Sequence, residues 1–201
     1  MVTKMEKLFK ADPPLKPIDD LDSLVDDWIW RFGRKGKSKH MRDEVVDFCA
    51  AARTIDEAID RACSSLRPNG KIHNHQSRVR GDCRRMYAFK IKKYIDTVDI
   101  NNFDELHDWL EDIAINGIGP VTIYDVATRI GAYLKMEPTS LYLHAHVRVG
   151  WNKLHGTRRV PEINGRVPRE MLPKPLHRIP ADQVEDMLCA YAEYIKPWLK
   201  K

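Results

Sequence analysis

The residues best suited to acid–base chemistry are bunched between positions 142 and 148. Tyr142, His144, His146 and Arg148 all lie in this stretch, and a histidine can give or take a proton near neutral pH. At helical spacing His144 and Arg148 share a face, whereas His146 points elsewhere. The cluster indicates either a polar pocket in which Tyr142, His144 or His146 is catalytic, or one histidine that supports the core and another that is solvated.

Asp125 is a second candidate for chemistry. It follows Val121 by one helical turn and precedes Arg129 by another, so the three side chains face roughly the same way. Asp125 can therefore act as a catalytic acid in a pocket. The alternative is an i,i+4 ion pair with Arg129, which contributes about 0.2–0.5 kcal/mol.

A basic loop precedes these residues, Lys71-Ile-His-Asn-His-Gln-Ser-Arg-Val-Arg. Amide and imidazole side chains of this kind can probe an opened base pair. Two His-x-His pairs offer four ligands to a zinc ion, but their spacing does not demand one, and we predict no metal. Pocket or base-probing roles, including a stacking role for the tryptophan, are predicted for His73, His75, Gln76, Arg129 and Trp151.

The most specific stretch of the chain is Ile115–Arg129, a predicted helix-hairpin-helix element that begins Ile115-Asn-Gly-Ile-Gly-Pro-Val-Thr. The pattern predicts a hairpin in which Ile118 turns inward while Gly117 and Gly119 take conformations closed to other residues. Pro120 suits the first position of a helix, whose free amides can hold a phosphate oxygen. A glycine turn that merely joins two packed helices is the alternative. The predicted nucleic-acid contacts here are Gly117, Ile118, Gly119, Val121 and Thr122.

Charge is distributed unevenly along the chain, whose formal net charge is +5. The window 67–93 holds nine basic residues and one acid and so carries +8, and the window 148–178 carries +6. Two basic stretches on an otherwise acidic chain favour a polyanion-binding face over a merely solvated surface. The basic residues predicted to contact nucleic acid are Arg78, Arg80, Arg84, Arg85 and Arg148.

Helices must position these groups. Apolar periodicity and capping residues predict helices at about 19–34, twice within 42–65, and at 82–96, 103–113, 120–134, 143–154 and 181–195. Asp19 or Asp22 can cap the first, and Thr54 with Glu57 forms a capping box. Strand signals are unconvincing. We predict an all-α protein with an extended segment at 1–18 and one compact domain at 19–201, with two lobes as the alternative.

Composition excludes several classes of protein. Hydrophobic residues make up 43% of the chain, which argues against a disordered polymer. No apolar run reaches the roughly 18 residues that a membrane span requires. The four cysteines form no C-x-x-C pair and suit reduced thiols. A cytoplasmic location is therefore expected.

Over about Cys83–Leu154 the sequence resembles the helix-hairpin-helix DNA glycosylases, the endonuclease III-like superfamily. The matching features are an amphipathic helix, the Gly-Ile-Gly hairpin, its second helix, and a helix that opens with Leu143-His-Ala-His-Val. The resemblance implies a glycosylase-like helical fold with its core at 83–154 and a role in DNA repair. It also implies a monovalent cation at the hairpin as the one cofactor to consider.

The departures from that family bear on chemistry. The family's catalytic aspartate falls on His144, whose charge when protonated is wrong for stabilising an oxocarbenium ion. Its lysine, when present, falls on Val121, so no Schiff-base lyase is expected. The favoured interpretation is a duplex-DNA-binding protein with an atypical or inactive pocket, with RNA as an alternative ligand. A glycosylase (N-glycosidase) that uses a relocated acid or the histidines, and a protein-interaction module, are the other two hypotheses.

Overall fold

The computed structural model describes residues 14, 17–32, 44–73, 76–156 and 162–199. Short 3-10 segments occur at Ile95–Thr97, Arg169–Met171 and Lys174–Arg178. The helices of this part of the chain are α1 (Leu21–Phe32), α2 (Glu44–Ala50), α3 (Ile55–Ser64), α4 (Gly81–Tyr94), α5 (Phe103–Asp112), α6 (Pro120–Leu134), α7 (Ala145–His155) and α8 (Ala181–Ala190). The two strands are β1 (Ser140–Tyr142) and β2 (Arg166–Pro168).

The mostly helical character and the order of the helices confirm the sequence-based prediction. The Thr54 hydroxyl accepts a hydrogen bond from the Glu57 amide at 3.1 Å, as expected of an N-cap. At α1 the capping carboxylate belongs to Asp20, which accepts from the Ser23 amide at 2.8 Å, so neither Asp19 nor Asp22 has the predicted role. Helix α8 ends at Ala190, five residues early, because residues 191–194 form turns instead.

Strands β1 and β2 correct the expectation of a purely helical chain. They pair antiparallel, with Leu141 opposite Val167, and β2 lies between α7 and α8, where no strand was predicted. Each strand has three residues, and every residue of the two strands except Pro168 is buried. So short a strand shows no alternation of apolar and polar residues, which is why periodicity does not reveal it.

The chain contains two compact units, where the sequence predicted one compact domain with two lobes as the alternative. We call residues 42–138 the hairpin unit, and residues 1–41 with 139–201 the terminal unit. The core predicted at 83–154 is thus split, because its last part, from Thr139 onward, belongs to the terminal unit. Most of the predicted extended segment 1–18 lies outside the described residues.

The hairpin unit is built around α6, which packs against α2, α3 and α5, while α4 packs against α3. Close approach of α6 to its neighbours depends on Gly131, where a Cβ would lie 2.8 Å from the Met136 carbonyl oxygen and 3.2 Å from the Phe103 ring. The Phe103 ring also meets Tyr124 edge to face, with centroids 6.0 Å apart. These contacts hold α6, and therefore the turn that precedes it, in a fixed position.

The terminal unit has its own core of α1, α7, α8 and the small sheet. Trp28 and Trp151 are each 1% exposed, and Trp28 meets Tyr191 edge to face. Helices α7 and α8 touch at Gly150, where a Cβ would lie 2.3 Å from the Leu188 carbonyl oxygen. Glycine is therefore required at this crossing for steric reasons.

Two further sequence-based expectations concern the chain as a whole. All four cysteines, Cys49, Cys63, Cys83 and Cys189, are free thiols, as predicted. None of the helices in the described ranges has the length and apolar character needed to cross a bilayer.

Candidate nucleic-acid interface

The predicted hairpin is a tight turn between α5 and α6. The Ile118 amide donates to the Ile115 carbonyl at 3.0 Å, which closes the turn. Gly117 takes a φ of +94°, in the region that favours glycine, and the Ile118 side chain is buried. The inward orientation of Ile118 is therefore confirmed, and only the backbone of this residue remains available to a ligand.

Gly119 does not have the conformation that the sequence predicted. Its φ is −100° and its ψ is 173°, an extended backbone open to any residue. A Cβ at this position would meet no atom within 4 Å. Neither the backbone nor packing inside the protein therefore requires a glycine here, although glycine is an acceptable N-cap.

Helix α6 starts without a side-chain cap. Gly119 is the N-cap, Pro120 is the first residue, and the first turn contains no acidic side chain. The amides of Val121 and Thr122 have no carbonyl partner within the helix, and they carry the positive end of its dipole. Gly119 and Pro120 are exposed, so an anion can approach these amides from solvent.

The start of α4 lies directly against the hairpin. A Cβ on Gly117 would be 2.9 Å from the Cys83 sulfur, so the thiol fills the space that the glycine leaves. One turn later, the Tyr87 hydroxyl donates to the Leu110 carbonyl at 2.7 Å and ties α4 to α5. The basic first turn of α4 is thereby held beside the hairpin.

The arginines near the contact between Cys83 and Gly117 differ in their exposure and in their hydrogen-bond partners. Arg80 donates two hydrogen bonds to Asp82, which lower the pKa of that carboxyl, so Asp82 remains ionised and offsets the charge of Arg80. Arg84 donates to the Ser64 carbonyl at 2.6 Å. Arg78 and Arg85 are exposed. The Arg84 and Arg85 guanidinium groups both lie within 4 Å of the Cβ position of Gly81, which concentrates positive charge at the first turn of α4.

In the second basic window, 148–178, several basic side chains contact other groups of the terminal unit. Arg148 pairs with Glu162 at 2.6 Å, and Arg178 pairs with Asp26 at 2.5 Å. Arg166 is buried and donates to the Tyr142 hydroxyl. The Arg178 pair draws on a carboxylate from outside this window and lowers its effective charge, whereas Glu162 is already counted in the sum of +6. Contact of Arg148 with nucleic acid stays a prediction.

Asp125 belongs to a buried polar network. Its carboxylate accepts a hydrogen bond of 2.6 Å from the Gln76 side-chain amide and lies 3.6 Å from the Arg129 guanidinium. Arg129, itself 0% exposed, donates to the Ser65 hydroxyl at 2.7 Å. Gln76 is equally buried, so neither Gln76 nor Arg129 can touch a base in this conformation. The pocket or base-probing role of these two residues stays a prediction, and a catalytic role of Asp125 stays a hypothesis.

The predicted histidine cluster lies in the terminal unit. His144 is the N-cap residue of α7, and its Nε2 lies 3.4 Å from a Glu185 carboxylate oxygen. Tyr142 is 5% exposed, and its hydroxyl accepts from Arg166, whereas His146 is exposed. Arg148 is half-buried. The residues are neighbours but do not all point into one space, and their catalytic role is untested.

The remaining candidates for a pocket or base-probing role are Trp151, His73 and His75. Trp151 is 1% exposed, and its ring centroid lies 4.4 Å from that of His155, with the two rings tilted by 56°. A stacking role for this buried ring stays a prediction. His73 is half-buried, with its amide bonded to the Ser65 carbonyl, and His75 lies outside the described residues. Joint zinc binding by the two His-x-His pairs therefore stays untested.

Sequence reasoning missed three residues of α4. Cys83 forms the contact with the hairpin, and Met86 and Phe89 are the most exposed large apolar residues of the described chain, at 59% and 63%. Their i,i+3 spacing on the side of α4 opposite Tyr87 and Ile91 could have revealed the exposed pair. The contact of Cys83 with Gly117 leaves no such signal, because the two lie far apart in sequence.

Comparisons of the chain with protein families, with curated proteins and with solved structures find no match.

Proposed function

We propose that this chain binds nucleic acid, with duplex DNA as the favoured ligand, through a surface that we call the hairpin face. It consists of the turn at Gly117–Pro120, the first turn of α6, and the exposed arginines before and within α4. The proposal includes a helical fold similar to the helix-hairpin-helix DNA glycosylases, a pocket that is atypical or inactive, and action on DNA in the cytoplasm. RNA is the alternative ligand.

The contact between Cys83 and Gly117 is the observation that carries the proposal. It joins two features that the sequence presents separately, an anion-accepting helix start and a basic window of charge +8. Backbone amides alone bind a phosphate weakly in water, and isolated surface arginines are common. Side by side, they provide both directed hydrogen bonds and a positive field for a polyanion.

Gly119 gives independent support. Since its backbone is extended and its Cβ position is open, a side chain would fit the free protein without strain. A phosphate that approaches the Val121 and Thr122 amides would, in contrast, meet that side chain. Close approach of a ligand is thus a physical reason for glycine at this position.

The candidate catalytic groups favour binding over base excision. Asp125 is held by Gln76 and Arg129, and His144 lies beside Glu185. Val121 offers no amine for covalent chemistry. Phosphate contacts of this type position a ligand and carry no base information, so we expect little sequence preference.

The test uses three substitutions at Gly119 and fluorescence anisotropy with a labelled 20-base-pair duplex at low salt. Gly119→Asp places a carboxylate at the N-cap, where aspartate is among the best capping residues. We expect unchanged or higher thermal stability together with at least a tenfold loss of affinity, because the carboxylate occupies the amides and repels phosphate. Gly119→Ser can cap the helix without adding charge and should lose less affinity than Gly119→Asp. Gly119→Ala is the control for the steric effect of a side chain alone.

Wild-type affinity should also fall steeply as salt rises. Absence of binding to duplex DNA at low salt would overturn the proposal. So would a Gly119→Asp protein that is folded and binds as tightly as wild type. A parallel series with duplex RNA of the same sequence decides between the two ligands.

A further inference from the structure

Helix α4 has an outer face that the fold does not use. Its inner face is occupied, since Ile91 is fully buried and the Tyr87 hydroxyl is bonded to α5. On the opposite side Met86, Phe89 and Lys93 form one stripe at i, i+3 and i+7. Because these two large apolar side chains are about 60% exposed, most of their surface does not stabilise the hairpin unit by burial.

Cations and a second aromatic ring surround the apolar pair. Arg85 and Lys93 are exposed, and the Lys93 ammonium lies 5.0 Å from the centre of the exposed Tyr94 ring. Asp82, the acidic residue of α4, already pairs with Arg80. The outer face therefore presents an aromatic ring and a flexible methionine side chain beside the exposed cations Arg85 and Lys93.

This pattern suits unpaired nucleotides better than a protein partner. A stable protein interface buries roughly 800 Å² on each partner, and lysine and acidic residues are depleted in it. Here cations flank only two apolar side chains, each about 60% exposed. Binding sites for single strands, in contrast, combine aromatic rings on which bases stack with cations that follow the backbone.

The outer face is also connected to the hairpin face. Cys83 fixes the first turn of α4 against Gly117, and Phe89 follows six residues later, a rise of about 9 Å along the helix. A strand that leaves a duplex at the hairpin can reach Phe89 within a few nucleotides. We infer that the preferred ligand is a duplex with a single-stranded extension, whose unpaired bases stack on Phe89 and Met86; this inference rests on the proposed function.

The experiment compares a blunt 15-base-pair duplex with the same duplex carrying an eight-thymidine extension, on either the 5′ or the 3′ end. We expect one extended form to bind wild type about tenfold more tightly than the blunt duplex, since stacking of a base is of that order. Phe89→Ser with Met86→Ser should abolish this gain and leave blunt-duplex affinity within twofold of wild type. Phe89→Trp should retain the gain, because the larger ring also stacks.

A matched control is Ile163→Ser, which removes an apolar side chain that is 55% exposed in the terminal unit and should change nothing. Wild type that binds blunt and extended duplexes equally would overturn this inference and leave the proposed function intact. Equal losses for both ligands in the double variant would also overturn it. So would Phe89-dependent binding of a helical Glu/Leu peptide without any gain from the extension. Failure of every DNA ligand to bind would instead refute the proposed function.

Discussion

The side-chain amide of Gln76 donates a hydrogen bond of 2.6 Å to the Asp125 carboxylate, across 49 positions of the chain. The same carboxylate faces the completely buried guanidinium of Arg129, which in turn donates to the end of α3 at Ser65. The network therefore ties three segments of the hairpin unit together: the end of α3, the loop before α4, and α6. A residue chosen from the sequence as a candidate acid is, in the structure, a partner of two buried groups.

Asp125→Ala should destabilise the protein by about 3 kcal/mol, because it leaves the buried Arg129 without its counter-charge. Asp125→Asn keeps an oxygen acceptor and should cost about half as much. Urea unfolding at pH 7 measures both. In Asp125→Ala with Arg129→Met the loss should shrink, since no buried charge remains unpaired. An Asp125→Ala protein as stable as wild type would show that the network does not hold the unit together.

Exposed and internally paired cations should contribute differently to DNA binding. Arg85 is exposed, whereas Lys92 is paired with Asp60 at 2.5 Å. Arg85→Gln should weaken duplex binding several-fold and make the slope of log affinity against log salt less negative by about 0.9. Lys92→Gln is the matched control on the same helix and should change the slope little. Equal slopes for the two variants would argue against α4 as the basic side of the hairpin face.

The helices were predictable because their signals are local. Thr54 with Glu57 begins α3, and Pro120 begins α6, in each case through contacts within one turn. Strands β1 and β2 were not predictable, because a three-residue strand has no measurable period. The division into two units was expected only as an alternative, because a short loop at Pro138 and Thr139 looks the same within one domain as between two units.

The candidate site was predictable only in part. The turn at Gly117 follows from residue types, but the position of Cys83 against it depends on how α4 packs in three dimensions. The same holds for Gln76 and Arg129, which are polar residues of ordinary surface type whose burial is decided by long-range hydrogen bonds. The charge sum of the window 148–178 is misleading for a related reason. Arg178 in this window pairs with Asp26, which lies in α1 at the other end of the chain.

Acid should destabilise the protein through the helix N-termini. Backbone amides of Arg53 and Asn101 donate to Glu57 and Glu105, and these bonds lower the pKa of both carboxyls. A carboxyl whose pKa is lower in the folded state stabilises fully above its unfolded pKa, and this contribution is lost as the pH falls through the folded value. We expect unfolding free energy to decline as the pH falls below about 4.5. Glu57→Gln with Glu105→Gln should flatten that decline, and Glu137→Gln, at an exposed site outside the caps, should leave it unchanged.

The crossing of α7 and α8 should not tolerate even a methyl group. A Cβ on Gly150 would lie 2.3 Å from the Leu188 carbonyl oxygen and 3.0 Å from its carbonyl carbon, and these backbone atoms cannot move without separating the helices. Alanine in place of glycine normally stabilises a helix interior by about 1 kcal/mol. Here overpacking should outweigh that gain and leave Gly150→Ala less stable by about 2 kcal/mol in urea unfolding. Val149→Ala, at the neighbouring exposed position, should be close to neutral, and a Gly150→Ala protein more stable than wild type would show that the two helices are not in contact at this point.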